Sequence, residues 1–268
     1  MRLRSRTVIH PYLAVEHPVR LAHRGSRVLW PENTMVAFDG AVDMGLKYLE
    51  IDVQITSDGT VVVFHDASLG RVTNGVGDVA AWLWEDVQRL DAAWSFAADR
   101  GHPLRGTGVR VPSLDELFAT FGDTHINVDL KSAGMEWAVA DLIKRHRREG
   151  RTLIGSFQRS RLARFRRIMR GSVPTSASPE RAVAMWVASR FGATTQGPEI
   201  AYQVPFEHPL LKLDQRFVDA IHAVGSQVHA WTVNDGVAMG RLLDMGVDGI
   251  VTDRPDVLND VLADRSAA

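Results

Sequence analysis

Two histidines in this chain each follow a short apolar run, and an acidic pair lies on the run between them. Val19-Arg20-Leu21-Ala22 leads into His23-Arg24-Gly25, Val61-Val62-Val63-Phe64 leads into His65-Asp66, and Tyr48 to Val53 carries Glu50-Ile51-Asp52. Each run reads as a strand. Two imidazoles, a guanidinium and two carboxylates are thus expected at or just beyond strand ends, where side chains meet substrate in a barrel of parallel strands. Successive strand residues face opposite sides, which sets Glu50 and Asp52 on one face and Ile51 and Val53 on the other. A lone histidine, or Glu-x-Asp on a strand, is usually ordinary surface or core. Their joint placement on three consecutive predicted strand ends is what reads as a site.

A further run, Asn127-Val128-Asp129-Leu130-Lys131, repeats the alternation, with Asn127, Asp129 and Lys131 on one face. Three carboxylates would offset a hard divalent cation. Arg24 and Lys131 add positive charge suited to an anion that also binds the metal, and phosphate fits that description best. Histidine changes charge near neutral pH, so one of His23 and His65 can accept a proton while the other donates one. Phosphodiester cleavage needs that pair: one oxygen is deprotonated to attack and the opposite oxygen is protonated to leave. No Gly-x-Ser-x-Gly, P-loop or Gly-x-Gly-x-x-Gly competes with this reading.

The elements that must position these groups follow from the patterning. A chain of 268 residues with 45% hydrophobic content buries one sizeable core, and single α/β barrels run to about 250 residues. Short β-branched runs alternate with amphipathic stretches, as in repeated βα units. Strands are predicted at 19–22, 48–53, 61–64, 126–130, 152–157, 173–177, 200–204, 227–232 and 249–252. Helices are predicted at 33–44, 113–121, 135–149, 159–170, 179–191, 215–224, 236–245 and 255–263. Residues 67–111 break the alternation and read as an insertion over the barrel mouth. Its Trp82, Trp84, Trp94 and Phe96 are expected to form its own small core, with lipid contact the less favoured role.

Residues 1–18 read as an N-terminal extension and 19–264 as the barrel domain. The extension's apolar stretch is broken by His10, Pro11 and Glu16 before reaching the length of a signal core, which points to a cytoplasmic protein. No run approaches the roughly 18 apolar residues of a spanning helix. A formal net charge of -1 argues against nucleic acid as a partner. The absence of cysteine excludes disulfides, thiolate metal sites and a cysteine nucleophile. Between Lys144 and Arg170 eleven Lys and Arg face the single acid Glu149; a solvated face is the ordinary reading, and peripheral contact with an anionic membrane the alternative.

At these residues the chain resembles the glycerophosphodiester phosphodiesterase family, whose barrels are of the phosphatidylinositol-phospholipase-C-like type. The matching stretches are His23-Arg24-Gly25, Pro31-Glu32-Asn33-Thr34, Glu50-Ile51-Asp52, Thr56-Ser57-Asp58-Gly59 leading to His65-Asp66, and Pro112-Ser113-Leu114-Asp115-Glu116. Trp231-Thr232-Val233-Asn234 and Gly246 to Pro255 complete them, in order, from about Leu21 to Leu258. The resemblance implies an α/β fold, a (β/α)8 TIM barrel with a small insertion after the third strand. It also implies His23 and His65 as acid/base pair, Arg24 and Lys131 on phosphate, and Glu50 and Asp52 on Mg²⁺ or Ca²⁺. The family's third metal ligand falls on Asp129, where the usual residue is Glu, one methylene longer. Phe157 and Trp231 match aromatic positions lining the family's pocket, with barrel core as the competing role. Spider sphingomyelinases D resemble the site too, but the Pro31-Glu32-Asn33-Thr34 and Asp248 to Asp253 stretches favour the phosphodiesterase branch.

Glu32 and Asn33 are expected near the site, Asp66 is expected to orient His65, and His229 is read as an interior histidine. The leading expectation is a metal-dependent hydrolase of glycerophosphodiesters. The alternatives are a lysophospholipase D whose Trp82 and Trp84 hold the acyl chain, and a phosphate-ligand binding protein without turnover.

Overall fold

The computed structural model describes residues 10–267. Its strands are β1 (Val19–His23), β2 (Tyr48–Ile55), β3 (Val61–Val63), β4 (His125–Leu130), β5 (Thr152–Gly155), β6 (Ala201–Pro205), β7 (Gln227–Trp231) and β8 (Gly249–Thr252). The helices are α1 (Met35–Asp43), α2 (Trp84–Val87), α3 (Leu114–Thr120), α4 (Glu136–Arg145), α5 (Arg159–Met169), α6 (Pro179–Arg190), α7 (Gln215–Ala223), α8 (Gly236–Asp244) and α9 (Pro255–Ala267). Several start where a short polar side chain accepts a backbone N–H: Thr34 from Ala37, Ser113 from Glu116, Asp214 from Phe217 and Asp235 from Ala238.

Seven strands run parallel in the order β5-β4-β2-β1-β8-β7-β6. The gap between β5 and β6 is closed by residues 174–177. Pro174 O accepts from Ile154 N, Ser176 N donates to Ile154 O, Ile200 N donates to Thr175 O, and Ala177 N donates to Ala201 O. This eighth stave makes only single parallel bridges, Ile154 with Thr175 and Ser176 with Ala201, where a strand was predicted at 173–177, and Pro174, which has no N–H, gives the ladder only its carbonyl. The result is a (β/α)8 TIM barrel.

The run 61–64 departs from its expected role. β3 pairs antiparallel with β2, Val53 with Val63 and Ile55 with Val61, across the turn at Thr56–Thr60. It is the return arm of a hairpin and not a barrel stave. The hairpin forms because β2 outruns the barrel and Gly59, at φ +85°, supplies the left-handed residue that reverses the chain.

Apolar side chains separate the sheet from its helices in two layers, one under α1 and α3 to α5, the other under α6 to α9. A third cluster floors the barrel, with Tyr12 and Leu13 packed against Val19, Leu21, Tyr48, Leu153 and Val251. Tyr48 Oη donates to Tyr12 O at 2.6 Å. Part of the predicted 1–18 extension thus plugs the barrel's N-terminal end; residues 1–9 of it lie outside the described residues.

Residues 67–111 hold a separate cluster of Leu69, Val79, Val87, Leu90 and Val109, against which Trp82, Trp84 and Phe96 pack. None of them lines the central cavity. Of the Lys144 to Arg170 cations, Lys144 and Arg145 end α4, and Arg159 to Arg167 lie on α5, which packs beside it. Arg148 is buried and donates to the carbonyls of Phe121, Gly122 and Thr124. Among the described residues no helix is long and apolar enough to cross a membrane.

Gly25, two residues past the end of β1, sits at φ +74°, and a Cβ there would lie 2.7 Å from Ala37 Cβ and 3.0 Å from the Ala37 backbone carbon in α1. Gly25→Ala is expected to cost about 2–4 kcal/mol, from left-handed strain plus overpacking. An unchanged midpoint in denaturant unfolding would show that α1 yields instead.

Candidate active site

The register of the parallel strands decides which polar groups become neighbours. His23 pairs with Glu50, Glu50 with Asn127, and Asp52 with Asp129, so carboxylates of adjacent strands stand side by side at the C-terminal end of the barrel. All are at least nine-tenths buried except His23. Like charges so close require cations. Lys131 Nζ lies 2.9 Å from Asp52 Oδ1 and 2.5 Å from Asp129 Oδ2. On the other side of Asp52, Oδ2 accepts from Asn33 Nδ2 at 3.1 Å and lies 3.1 Å from Arg24 Nε, an ion-pair contact without hydrogen-bond alignment. Glu50 Oε2 accepts the Arg24 backbone N–H at 3.1 Å.

Protonation follows from these contacts. Burial, and after it the Asp52 charge, pushes the Glu50 carboxyl well above the usual carboxylate range. Asp52 goes the other way, because Lys131, Arg24 and His65 together outweigh its burial. Asp129 is raised by burial, which Lys131 only partly offsets. Burial alone would lower the Lys131 ammonium, but Asp129 and Asp52 raise it above its ordinary value.

Each histidine is held through Nδ1. His23 Nδ1 lies 2.7 Å from Asp253 Oδ1, and Asp253 Oδ2 accepts from Arg27 Nε at 3.0 Å and Asn234 Nδ2 at 3.1 Å. Against its burial, the His23 ring, Asn234 and Arg27 keep Asp253 below the usual range. His65 reaches the site because the β2–β3 hairpin folds back, with Phe64 N donating to Asp52 O. Its Nδ1 lies 2.5 Å from Asp66 Oδ1. Arg71, from the insertion, donates to Asp66 and forks onto both oxygens of Glu32, which also accepts from Arg24 Nη1 at 3.0 Å. A chain of charged groups thus runs from one histidine's carboxylate to the guanidinium beside the other. With Nδ1 engaged, Nε2 of each ring has no hydrogen-bond partner among the described residues, and both rings line the cavity.

That cavity has a volume of about 680 Å³ and is lined by all nine residues singled out from the sequence, His23, Arg24, Glu50, Asp52, His65, Asp129, Lys131, Phe157 and Trp231. Phe157 is 56% exposed and meets Trp231 edge to face at 6.0 Å between centroids, so it is pocket wall and not barrel core. Lys131 Nζ lies 5.5 Å from the Phe157 ring centre. Glu32, Asn33 and Asp66 brace the site from behind. His229 is fully buried, bonded to Gln227 Oε1 at 3.1 Å and outside the cavity.

Among the described residues no three acidic or imidazole groups converge on one point, since Lys131 Nζ occupies the space between Asp52 and Asp129. The donor set nonetheless suits a hard divalent cation. Glu50, Asp52 and Asp129 supply only oxygen, and Asp129 Oδ1 and Asn127 Oδ1 are buried without a hydrogen-bond partner. A buried carboxyl driven toward protonation, as Glu50 is, is what a positive ion would reverse.

Sequence reasoning gave no role to Asp253, Arg27 or Arg71. Asp253 had a local signal, an acid just past the last predicted strand, at the end of the barrel where His23 sits. Arg71 had none, because its partners Glu32 and Asp66 meet it only in the folded chain.

The family model for the glycerophosphoryl diester phosphodiesterase family matches residues 23–257. "Probable glycerophosphodiester phosphodiesterase 2" of Mycobacterium tuberculosis is 33% identical, with 92% of this chain and 91% of that protein covered. "Lysophospholipase D GDPD1" of Rattus norvegicus is 28% identical over 92% of this chain and 87% of its own. Among solved structures, an Oleispira antarctica phosphodiesterase in complex with the product sn-glycerol-3-phosphate superposes with a TM-score of 0.74 at 25% identity, covering 92% of this chain and 97% of that one. A family match over nearly the whole barrel, joined to this constellation at its mouth, makes the chain a phosphodiesterase belonging to the glycerophosphoryl diester phosphodiesterase family.

Proposed function

We propose that the chain hydrolyses glycerophosphodiesters to glycerol phosphate and an alcohol such as choline or ethanolamine, with His23 and His65 as the acid/base pair. The observation that carries this reading is the pair of imidazoles on one cavity, each held at Nδ1 by its own carboxylate. A ring held this way keeps one tautomer and offers Nε2 to the reacting oxygens. One ring in neutral form takes the proton from the attacking oxygen. The other, protonated, gives its proton to the departing alkoxide. Asp253 and Asp66 stabilise whichever imidazolium forms, as a buried carboxylate does behind a catalytic histidine. Arg24 and Lys131 bind the phosphoryl oxygens between the rings, and Phe157 and Trp231 wall the organic part of the substrate.

Glu50, Asp52 and Asp129 would hold Mg²⁺ or Ca²⁺, which when bound supplies charge neutralisation at a phosphoryl oxygen. Asp129 reaches less far than a Glu would, so Glu50 and Asp52 carry more of the binding, and Lys131, which contacts both Asp52 and Asp129, would have to move off them.

Four outcomes test this reading. Purified protein should release glycerol phosphate from glycerophosphocholine or glycerophosphoethanolamine; binding without turnover would leave a ligand-binding protein. His23→Ala and His65→Ala should each lower kcat by about 10²-fold or more, and near-normal turnover in either removes that histidine from the chemistry. Asp253→Asn should lower kcat by about 10- to 10²-fold with KM little changed, since it frees the ring without touching substrate. Chelation should abolish activity, and the ion that restores it, among Mg²⁺, Ca²⁺ and Mn²⁺, identifies the native metal.

A further inference from the structure

Among the described residues three Lys and Arg side chains line the cavity: Arg24, Arg27 and Lys131. Two of them are committed to the carboxylate cluster. Arg24 lies against Glu32 and Asp52, and Lys131 against Asp52 and Asp129. Arg27, on the turn that follows His23, is placed differently. Its one carboxylate among the described residues is Asp253, met through Nε at 3.0 Å, and His23 shares that carboxylate at 2.7 Å. With Nε so engaged, Nη1 and Nη2 have no hydrogen-bond partner among the described residues. The Arg27 side chain is 43% exposed, against 11% for Arg24 and 18% for Lys131.

Charge on this side of the cavity is therefore unequal. When His23 carries its proton, two cations face one carboxylate, whose Oδ2 also accepts from Asn234. The rest of the wall offers nothing comparable. Beyond Phe157 and Trp231 the cavity continues between the start of α6 and the segment after β6, past Val183, Trp186, Leu210 and Leu211, and no Asp, Glu, Lys or Arg of the described residues lines it there. The acids that line the cavity, Glu50, Asp52 and Asp129, all belong to the buried cluster. A second anion on the substrate thus meets one uncommitted pair of donors, and a guanidinium fork matches carboxylate and phosphate oxygens alike.

We infer that Arg27 selects the head group, binding a second negative charge, carboxylate or phosphate, on the alcohol that leaves phosphorus. The inference rests on the phosphodiesterase reading above and ranks diesters of acidic alcohols over those of choline and ethanolamine. The reaction itself is unchanged: water's oxygen bonds to phosphorus, the bond from phosphorus to the alcohol oxygen breaks, and that oxygen keeps a proton.

The test uses two matched pairs of substrates. Glycerophosphoserine differs from glycerophosphoethanolamine by one carboxylate, and the terminal phosphate ester of glycerophosphoglycerol differs from glycerophosphoglycerol by one phosphate. The acidic member is expected to have the higher kcat/KM, by about three- to tenfold for a part-exposed ion pair. That lead should shrink as ionic strength rises from about 0.01 to about 0.3 M. A lead in one pair alone identifies carboxylate or phosphate as the group Arg27 takes. Arg27→Gln should abolish the lead and Arg27→Lys should keep part of it. Loosening Asp253 slows both members of a pair alike, so a lead that survives in Arg27→Gln, whatever the overall rate, assigns Arg27 to bracing alone and overturns the inference. Equal or reversed rates within both pairs of the parent enzyme overturn it as well, with hydrolysis of glycerophosphoethanolamine intact. So does a lead that ignores salt, a measurement that needs no variant. Failure to hydrolyse any of these diesters removes the phosphodiesterase reading and the head-group selection with it.

Discussion

The site is organised around repulsion between carboxylates that the barrel's register forces together. Parallel pairing of β2 with β4 sets Asp52 against Asp129, with Glu50 one layer below, in space largely closed to water. Burying such charges without partners is costly, and removing one partner from a buried ion pair typically costs about 3–5 kcal/mol. Lys131, Arg24 and Asn33 answer that cost in the protein as it stands. The same unequal compensation separates the protonation of Glu50 from that of Asp52. A site built this way is electrostatically prepared for a cation and an anionic substrate together, because each relieves part of the strain the other leaves.

The histidines are placed by two different devices. His23 ends a barrel strand, and Asp253, just past the neighbouring strand β8, meets it. His65 arrives on a hairpin that folds back over β2 and is held by Asp66 and Arg71. The insertion therefore contributes a guanidinium to the bracing of the site and no wall to its cavity. The wall falls instead to α6 and the segment after β6, on the opposite side. Polar clamp and apolar wall are thereby supplied by separate parts of the chain, which lets one vary without disturbing the other.

Much of the architecture was legible before folding was considered. Apolar periodicity located most helices within a residue or two, helped by the polar caps at Ser113, Asp214 and Asp235, but α4 stops at Arg145 short of the predicted 149, α9 runs past the predicted 263 to Ala267, and the short α2 was not predicted. The first helix was read as starting at Asn33. Asn33 instead adopts φ +56°, leaving the helix to begin after Thr34 and turning its own amide onto Asp52. The run 61–64 looked like a stave because a strand's composition does not record its direction. The turn at Thr56–Thr60, with Asp58-Gly59 at its centre, carried the information that the chain reverses.

Local chemistry, then, was decided by the order of residues alone. Alternation along a strand put Glu50 with Asp52 and Asp129 with Lys131, and helix periods set the outer layer, because both depend only on neighbours a few positions away. Interstrand register, the pairing of His23 with Asp253, Arg71's bridge from Asp66 to Glu32, and the apolar half of the cavity were decided by the tertiary structure. Apart from Arg71 with Asp66, five positions apart, those contacts join residues tens to hundreds of positions apart, and no pattern in a linear chain measures the distance between them once the barrel has closed.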